Sequence, residues 1–459
     1  MNDNQDVIEK CLKLFRGKGV EGEIFLIDSK ITKVSVLSGR VENLEERKDR
    51  GCGIRVCCKK KLGFSYTSDL SERSIDETIR RAHEFSFLTS EDASNILPPP
   101  GRLEPLEIFN LKRNRSGMMP ALFFNPALLD VSASQKTDFA IGIEKSARDT
   151  DARVGKVKGA AYRDFVADVH IANTAGIDCN YRTGKATGHI ELSATDGTSS
   201  HQGYHQEFGS SISDMDPQKI GRAAALKALD KLGARDFRTA KTRVVLNNET
   251  TSSFFAETFS FFSAKKVLKN KSALTGKLGK KIGSTAVTLI DDGRKMEAAS
   301  PAPFDAEGMP TQETFLIREG VLENYLHNYQ TAIRMALKPT SSCVRGSYTS
   351  APKIGINNLY FRPSTDKPEE IIADVKSGIY VTDLLGLHTA DTITGDFSLG
   401  ASGRYIENGR LSYPVHKIAI SGNILTLLGS VEAVANDLKF FTWGGGVTML
   451  LREMVVSGT

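Results

Sequence analysis

His201 and His205 stand four residues apart in His-Gln-Gly-Tyr-His, the spacing that sets two imidazoles on one face of a helix in zinc hydrolases. Gly197, Gly203 and Gly209 around them favour strand and turn instead. Residues four apart in a strand are roughly 13 Å from each other, too far to share an ion, so a polar strand face is expected. Asp291-Asp292-Gly293 follows the apolar residues 286–290 and reads as turn chemistry rather than a metal pair. Cys57-Cys58 and Ser342-Cys343 have no histidine near them in sequence, which leaves a thiol nucleophile unsupported.

A richer constellation lies between residues 387 and 423, LHTADTITGDFSLGASGRYIENGRLSYPVHKIAISGN. His388 shares a carboxylate-rich stretch with Asp391 and Asp396, where Asx turns are the simpler reading. Gly395, Gly400 and Gly403 can take positive φ, so a sharply turning loop is expected before Tyr405 and Ile406. Such a loop exposes backbone donors and acceptors beside Thr394, Asp396 and Ser398, which an extended peptide can pair with as an added strand. His388, Thr394, Gly395, Asp396 and Ser398 are therefore the substrate-binding candidates. The glycine run lacks the Gly-Lys-Ser/Thr ending of a phosphate-binding loop.

With 459 residues, 40% of them hydrophobic and 25% charged, the chain is long enough for two or three domains and has the composition of a globular protein. No segment approaches the roughly 18 apolar residues of a membrane span. The N-terminus MNDNQDVIEKCLKLF lacks the apolar core of a signal peptide, so a cytoplasmic location is expected. The six cysteines are spaced neither as a disulfide framework nor as a zinc ribbon. A net charge of +5 is spread along the chain, its densest cluster being Lys59-Lys60-Lys61, and nucleic acid is not indicated.

The elements that must carry these groups read as α+β. Residues 1–100 form a first α/β unit: a strand over 24–36, a turn at Ser38-Gly39-Arg40, strands over 41–47, 54–58 and 64–67, and a helix over 71–87 capped by Ser71. Residues 101–131 read as a linker or extended segment. Residues 132–240 form a central α/β unit, with a helix over 132–148, strands over 154–207 and a helix over 220–232 closed by Gly233. The two units are either a duplication or halves of one sheet. Residues 241–459 form a β-rich C-terminal domain with an antiparallel sheet or barrel, and a helix spans 248–268. Glu319-Gly320 and Asn408-Gly409 each sit between short apolar runs as hairpin turns.

The stretch 387–423, together with FDAEGMPTQETFLIREGVLENYLHN at 304–328, resembles the TldD/PmbA family, once called modulators of DNA gyrase. In the TldD branch the resemblance implies a His-Glu-x-x-x-His helix that holds zinc together with a later cysteine, the glutamate acting as base. The matching segment here is Phe254-Phe255-Ala256-Glu257-Thr258-Phe259-Ser260-Phe261-Phe262, with Ala256 and Phe261 at the histidine positions and no cysteine after Cys343. Neither residue can ligate zinc. Glu257 is left as a vestige, and the five phenylalanines around it imply a buried helix in which its carboxylate needs a polar cavity or a partner. The resemblance is thus to the PmbA/TldE-like branch. It implies a non-catalytic subunit, a pseudoenzyme, in a heterodimeric metallopeptidase for unfolded or precursor peptides, with no cofactor in this chain and zinc in a TldD-like partner. A homodimer when alone, a binding protein for gyrase or another DNA-associated partner, and a hydrolase with unrecognised ligands are the alternatives.

Overall fold

The computed structural model describes residues 2–100 and 123–458. The connector expected at 101–131 lies largely outside the described residues, and its described end, Pro126–Asp130, is a 3-10 turn. Ser38 and Gly39 both take positive φ, 54° and 70°, and join β1 (Glu21–Leu37) to β2 (Arg40–Cys58) in a long hairpin. Separate strands at 41–47 and 54–58 are not found. One strand pairs from Arg40 to Cys57, with a bulge only at Glu42, because Gly51 and Gly53 stay in register opposite Ile27 and Phe25.

With β3 (Lys61–Thr67), β4 (Val154–Asn173), β5 (Asp178–Thr195) and β6 (Ser200–Gly209), these strands make one six-stranded antiparallel sheet ordered β3-β2-β1-β4-β5-β6. The first and central units are therefore halves of one sheet. Ile24 and Leu26 of β1 pack in one core with α1 (Asn2–Lys18) and α2 (Glu72–Phe87). Val34 and Val36 join the core under α3 (Ala133–Thr150) and α4 (Pro217–Leu229). Phe25, between Ile24 and Leu26, points to the opposite face and packs with Phe304 and Tyr348 of the C-terminal domain. Ser71 caps α2 by accepting from the Ser74 N–H, and Ser132 caps α3 in a capping box with Gln135. Gly233 does not close α4, which ends at Leu229 with Asp230 as its C-cap, although Gly233 does take φ +68° shortly after.

In the C-terminal domain β7 (Ala240–Leu246) pairs with strands Ser377–Leu385 and Met449–Ser457, and strands Asp396–Glu407 and Arg410–Asn423 follow. Pairing of Ile420 with Val456 closes the five strands into a barrel. All neighbours are antiparallel except β7 with Ser377–Leu385. Both Asn-Gly and Glu-Gly turns form, with positive φ at Glu319, Gly320, Asn408 and Gly409. The glycine-rich run is mostly strand rather than loop: of its three glycines only Gly395 takes positive φ, 86°, and Gly400 and Gly403 lie within Asp396–Glu407. Gly403 is there for closeness, since a Cβ on it would stand 1.9 Å from the Tyr380 carbonyl oxygen.

Candidate functional site

The helix after β7 begins where the Asn247 side chain accepts from the Thr250 N–H at 2.8 Å. This helix, α5 (Asn248–Thr258), is shorter than the expected 248–268. The Thr258 hydroxyl turns back to the Phe254 carbonyl at 2.8 Å, and the chain tightens into a 3-10 turn, Phe259–Phe262, before a further short helix Ala264–Leu268. Its aromatic rings drive this geometry. Phe254 meets Phe255 and Phe397 edge-on, each at 5.1 Å between centroids, and Phe255 meets Phe361 at 4.7 Å, all inside the barrel-side core.

The two positions that the resemblance assigns to zinc ligands are separated by this change of helix type. Ala256 is half-buried on α5, while Phe261 sits in the 3-10 turn and is wholly enclosed by the core. A methyl group and a phenyl ring offer no donor, so the residues present do not fit a zinc ion. Among the described residues, no three His, Cys, Asp or Glu side chains converge as a metal site. Glu257 departs from expectation in another way: it is exposed, needing neither a cavity nor a partner, because α5 buries only its phenylalanine side.

What the sequence separates by over a hundred residues, the structure joins. Gly395 is buried with its missing side chain against Phe261: a Cβ there would lie 3.4 Å from Phe261 Cε2 and 3.2 Å from Asn423 Nδ2. Its N–H donates to the Asp391 carbonyl and its own carbonyl accepts from the Ile424 N–H, both at 2.7 Å. The Asn423 amide bridges the Thr394 carbonyl at 3.0 Å and the Asp396 carboxylate at 2.8 Å. Lys266 Nζ ties the segment to the 3-10 turn by donating to Thr392 Oγ1 at 2.5 Å and Ser260 Oγ at 2.8 Å. Burial pushes the Lys266 amine below its usual range, against the attraction of Asp391.

His388, Thr394, Asp396 and Ser398 are all exposed on this rim. His388 makes no ion pair with Asp391 or Asp396 among the described residues. The two carboxylates serve the turn instead: Asp391 accepts the N–H groups of Ile393 and Thr394, which holds it below the ordinary carboxylate range, and the Asn423 amide does the same for Asp396. From Gly400 to Glu407 the strand is paired on both sides, whereas from Asp396 to Leu399 the only neighbouring strand among the described residues is Arg410–Asn423. Ser398 Oγ meets Ser421 Oγ at 2.9 Å across that pairing.

The remaining sequence candidates disperse. His201 and His205 lie on β6, the first perpendicular to His416 at 5.6 Å, the second with Nε2 3.4 Å from Glu207. Asp292 accepts the Arg294 N–H as a turn, and Asp291 accepts from Asn357 through its backbone and side-chain amides. Burial pushes Asp291 up to about 7. No disulfide joins any of the six cysteines among the described residues, and burial raises Cys57 and Cys343, which disfavours the nucleophilic thiolate.

One buried feature has no counterpart in the sequence reading. Glu23 and Arg55 are cross-strand partners on the face of the sheet that meets the C-terminal domain. Arg55 Nη2 donates to Glu23 at 2.5 Å and Nη1 to Glu307 Oε1 at 2.8 Å, while Arg345 closes the set on Glu23. All four side chains are buried, and Gly51 and Gly53 make room beside them for Tyr348. Those two glycines were the available signal, since a Cβ on either would stand 2.5 Å from Tyr348.

Comparison with known proteins agrees along nearly the whole chain. Sequence models described as PmbA/TldA metallopeptidase domain 1, central domain and C-terminal domain match residues 22–85, 126–232 and 239–458. A curated relative from Escherichia coli O157:H7, described as metalloprotease PmbA, is 26% identical over 99% of this chain and 96% of its own length. A crystal structure from Thermotoga maritima, described as a candidate modulator of a DNA gyrase, is 26% identical, has a TM-score of 0.88 and covers 99% of this chain and 100% of that one. TldE from Thermococcus kodakarensis, at 22% identity, TM-score 0.86 and 99% coverage of both chains, shares the fold.

Proposed function

The chain belongs to the TldD/PmbA metallopeptidase family, and we propose that within it this chain is the non-catalytic member of a two-chain peptidase acting on unfolded or precursor peptides in the cytoplasm. The observation that carries this reading is the filled metal position: Phe261 is locked into the core where a ligand is needed, and Ala256 has nothing to donate. Under this reading a TldD-like partner holds the zinc and its water. This chain supplies a wall of the chamber.

The wall has the form of a peptide rest. Between Asp396, whose carbonyl accepts from the Asp391 N–H, and Gly400, which pairs with Leu385, residues 397–399 have strand pairing on one side only, so an extended peptide can lie along the other. Asn423 and the Asp391 turn hold that stretch rigid, which lowers the ordering cost of binding. Leu385 and Ile393, 67% and 46% exposed, offer apolar contact on the same rim. Among the described residues, no helix is long and apolar enough to cross a membrane.

The test is purification from the native host with metal analysis of every co-eluting chain, followed by peptide cleavage with and without them. The expected result is a partner that carries zinc, and cleavage only when both chains are present. One equivalent of tightly held zinc on this chain, with chelator-sensitive cleavage by it alone, would falsify the reading. Co-elution of gyrase subunits without any peptidase chain would favour the binding role suggested by the Thermotoga relative's description.

A further inference from the structure

Between the six-stranded sheet and the C-terminal loops lies a cavity of about 310 Å³. It is at the small end of ligand pockets, the size of one or two amino-acid residues. On the sheet side Tyr181, Thr183 and Lys185 occupy alternate positions of β5 and so share a face. Loops carrying Phe304, Asp305 and Arg345 form the other side.

The charges of this wall are incompletely answered by the chain. Lys185 makes no hydrogen bond or ion pair with any described residue. Burial and the like charge of Arg163 both push its amine below the usual lysine range. Lys185 is half-buried on this wall, and an ammonium partly withdrawn from water without a counter-ion is what an anion would relieve. Arg345, its side chain 1% exposed, gives Nε to the Ala306 carbonyl at 3.1 Å, engages Glu23 and lies over the Phe25 ring at 4.8 Å, yet its Nη1 has no acceptor. Asp305 is equally buried. Its Oδ1 accepts the N–H groups of Glu307 at 2.9 Å and Met309 at 3.0 Å, and its Oδ2 has no donor. The cavity wall therefore holds a cation without an anion and an acid without a donor.

We propose that this cavity binds a small zwitterion, an amino acid or dipeptide, with its carboxylate on Lys185, its ammonium toward Asp305, and its side chain among Phe25, Phe165 and Phe304. The proposal is independent of the two-chain reading, because the cavity shares no lining residue with the rim at 387–398. It also has a pH signature. Burial pushes the Asp305 carboxyl up to about 8, so at neutral pH the empty site is largely protonated there, and an arriving ammonium displaces that proton. Binding should tighten as pH rises toward 8, until the ligand amine itself deprotonates.

Calorimetry on the full chain, with L-alanyl-L-alanine, acetate and N-acetyl-L-alaninamide as the three probes, separates the contributions. The expected result is saturable one-to-one binding of the dipeptide, at least tenfold tighter than acetate, and none of the uncharged amide. Lys185→Met should weaken the dipeptide at least tenfold without lowering the melting temperature, since it removes an unpaired, half-buried charge. No saturable binding by the wild type, equal binding by Lys185→Met, or acetate binding as tightly as the dipeptide would each overturn the proposal. Should Lys185→Met fail to fold, Asp305→Asn carries the test: a tenfold loss with a flattened pH profile supports the site, and unchanged affinity and profile overturn it.

Discussion

Gly395 lies against the ring of Phe261, so the segment bearing most of the candidate substrate-binding residues is seated on the side chain at the position that the resemblance assigns to the second zinc ligand. The contact depends on the absence of a side chain and on a φ of 86°, which only glycine takes without strain. Gly395→Val should therefore destabilise the full chain by about 1–3 kcal/mol and loosen the rim rather than simply block a peptide. Chemical denaturation checks this directly. An unchanged midpoint would mean the rim is not anchored through this contact.

Placing histidines at the two positions that the resemblance assigns to zinc ligands should not create a metal site. Phe261 is wholly buried with its ring edge-on to Phe262 at 5.9 Å, in a 3-10 turn out of helical phase with Ala256. The double variant Ala256→His, Phe261→His is expected to lose about 3–5 kcal/mol of stability from the lost ring and to bind no stoichiometric zinc. Metal analysis of the dialysed variant, with its melting temperature, decides the point. A stable variant with one tight zinc would show that the turn can rewind into α5.

Glu257 gives the opposite expectation, because its side chain is exposed. Glu257→Ala should leave folding stability within about 0.5 kcal/mol, as surface substitutions do. Any effect should therefore appear only in cleavage by the assembled pair. Comparing melting temperature with partner-supported cleavage distinguishes a chamber residue from a bystander, and a large loss of stability would contradict the exposed placement.

Asp291 should make stability depend on pH. Its folded pKa, about 7, lies above the ordinary carboxylate value, so between about pH 4 and 7 the folded state holds a proton that the unfolded state has released. The contribution is fully present below pH 4 and is lost as pH rises through 7, at up to about 1.4 kcal/mol per pH unit. Asp291→Asn, which stays neutral, should gain on the wild type as pH climbs from 4 to 7 and hold a constant difference above 8. Parallel denaturation curves for the two proteins across that range would refute the assignment.

Local chemistry was legible from the sequence and long-range packing was not. Ser71 as a cap and Asn408-Gly409 as a turn follow from side-chain and backbone geometry within a few residues, and they stand where expected. The β-rich C-terminal domain was also readable, whereas its closure needs Ile420 to find Val456. The helix at α5 was overextended because nothing in Phe259-Ser260-Phe261-Phe262 announces a 3-10 turn; the rings choose it by where the core has room. Glycine misled twice for one reason. Gly403 reads as a turn former, and Gly51 and Gly53 as the flank of a separate strand, yet each serves a close approach, to the Tyr380 carbonyl or to Tyr348, and closeness leaves no mark in the residue's own neighbourhood. Glu257 was placed by its neighbours' hydrophobicity, although a helix can bury those rings and still turn one carboxylate outward.

The buried set of Glu23, Arg55, Glu307 and Arg345 supplies the last prediction, because it spans the first sheet and the C-terminal domain with two charges of each sign. Burial alone would raise the Glu23 pKa, but Arg55 and Arg345 outweigh it and hold the carboxyl below its usual value. Its contribution is therefore present above the ordinary glutamate range and is lost as pH falls through the lowered folded pKa. Glu23→Gln leaves two guanidiniums facing one carboxylate out of water, and should destabilise the chain by about 3–5 kcal/mol at neutral pH, less in acid. Adding Arg345→Met removes the excess cation and should recover part of that loss, so the double variant is more stable than the sum of the single losses predicts. A double-mutant cycle by denaturation at pH 7 measures the coupling. Strict additivity would mean that the two side chains act separately and that the sheet is held to the C-terminal domain by the packing of Phe25, Phe304 and Tyr348 alone.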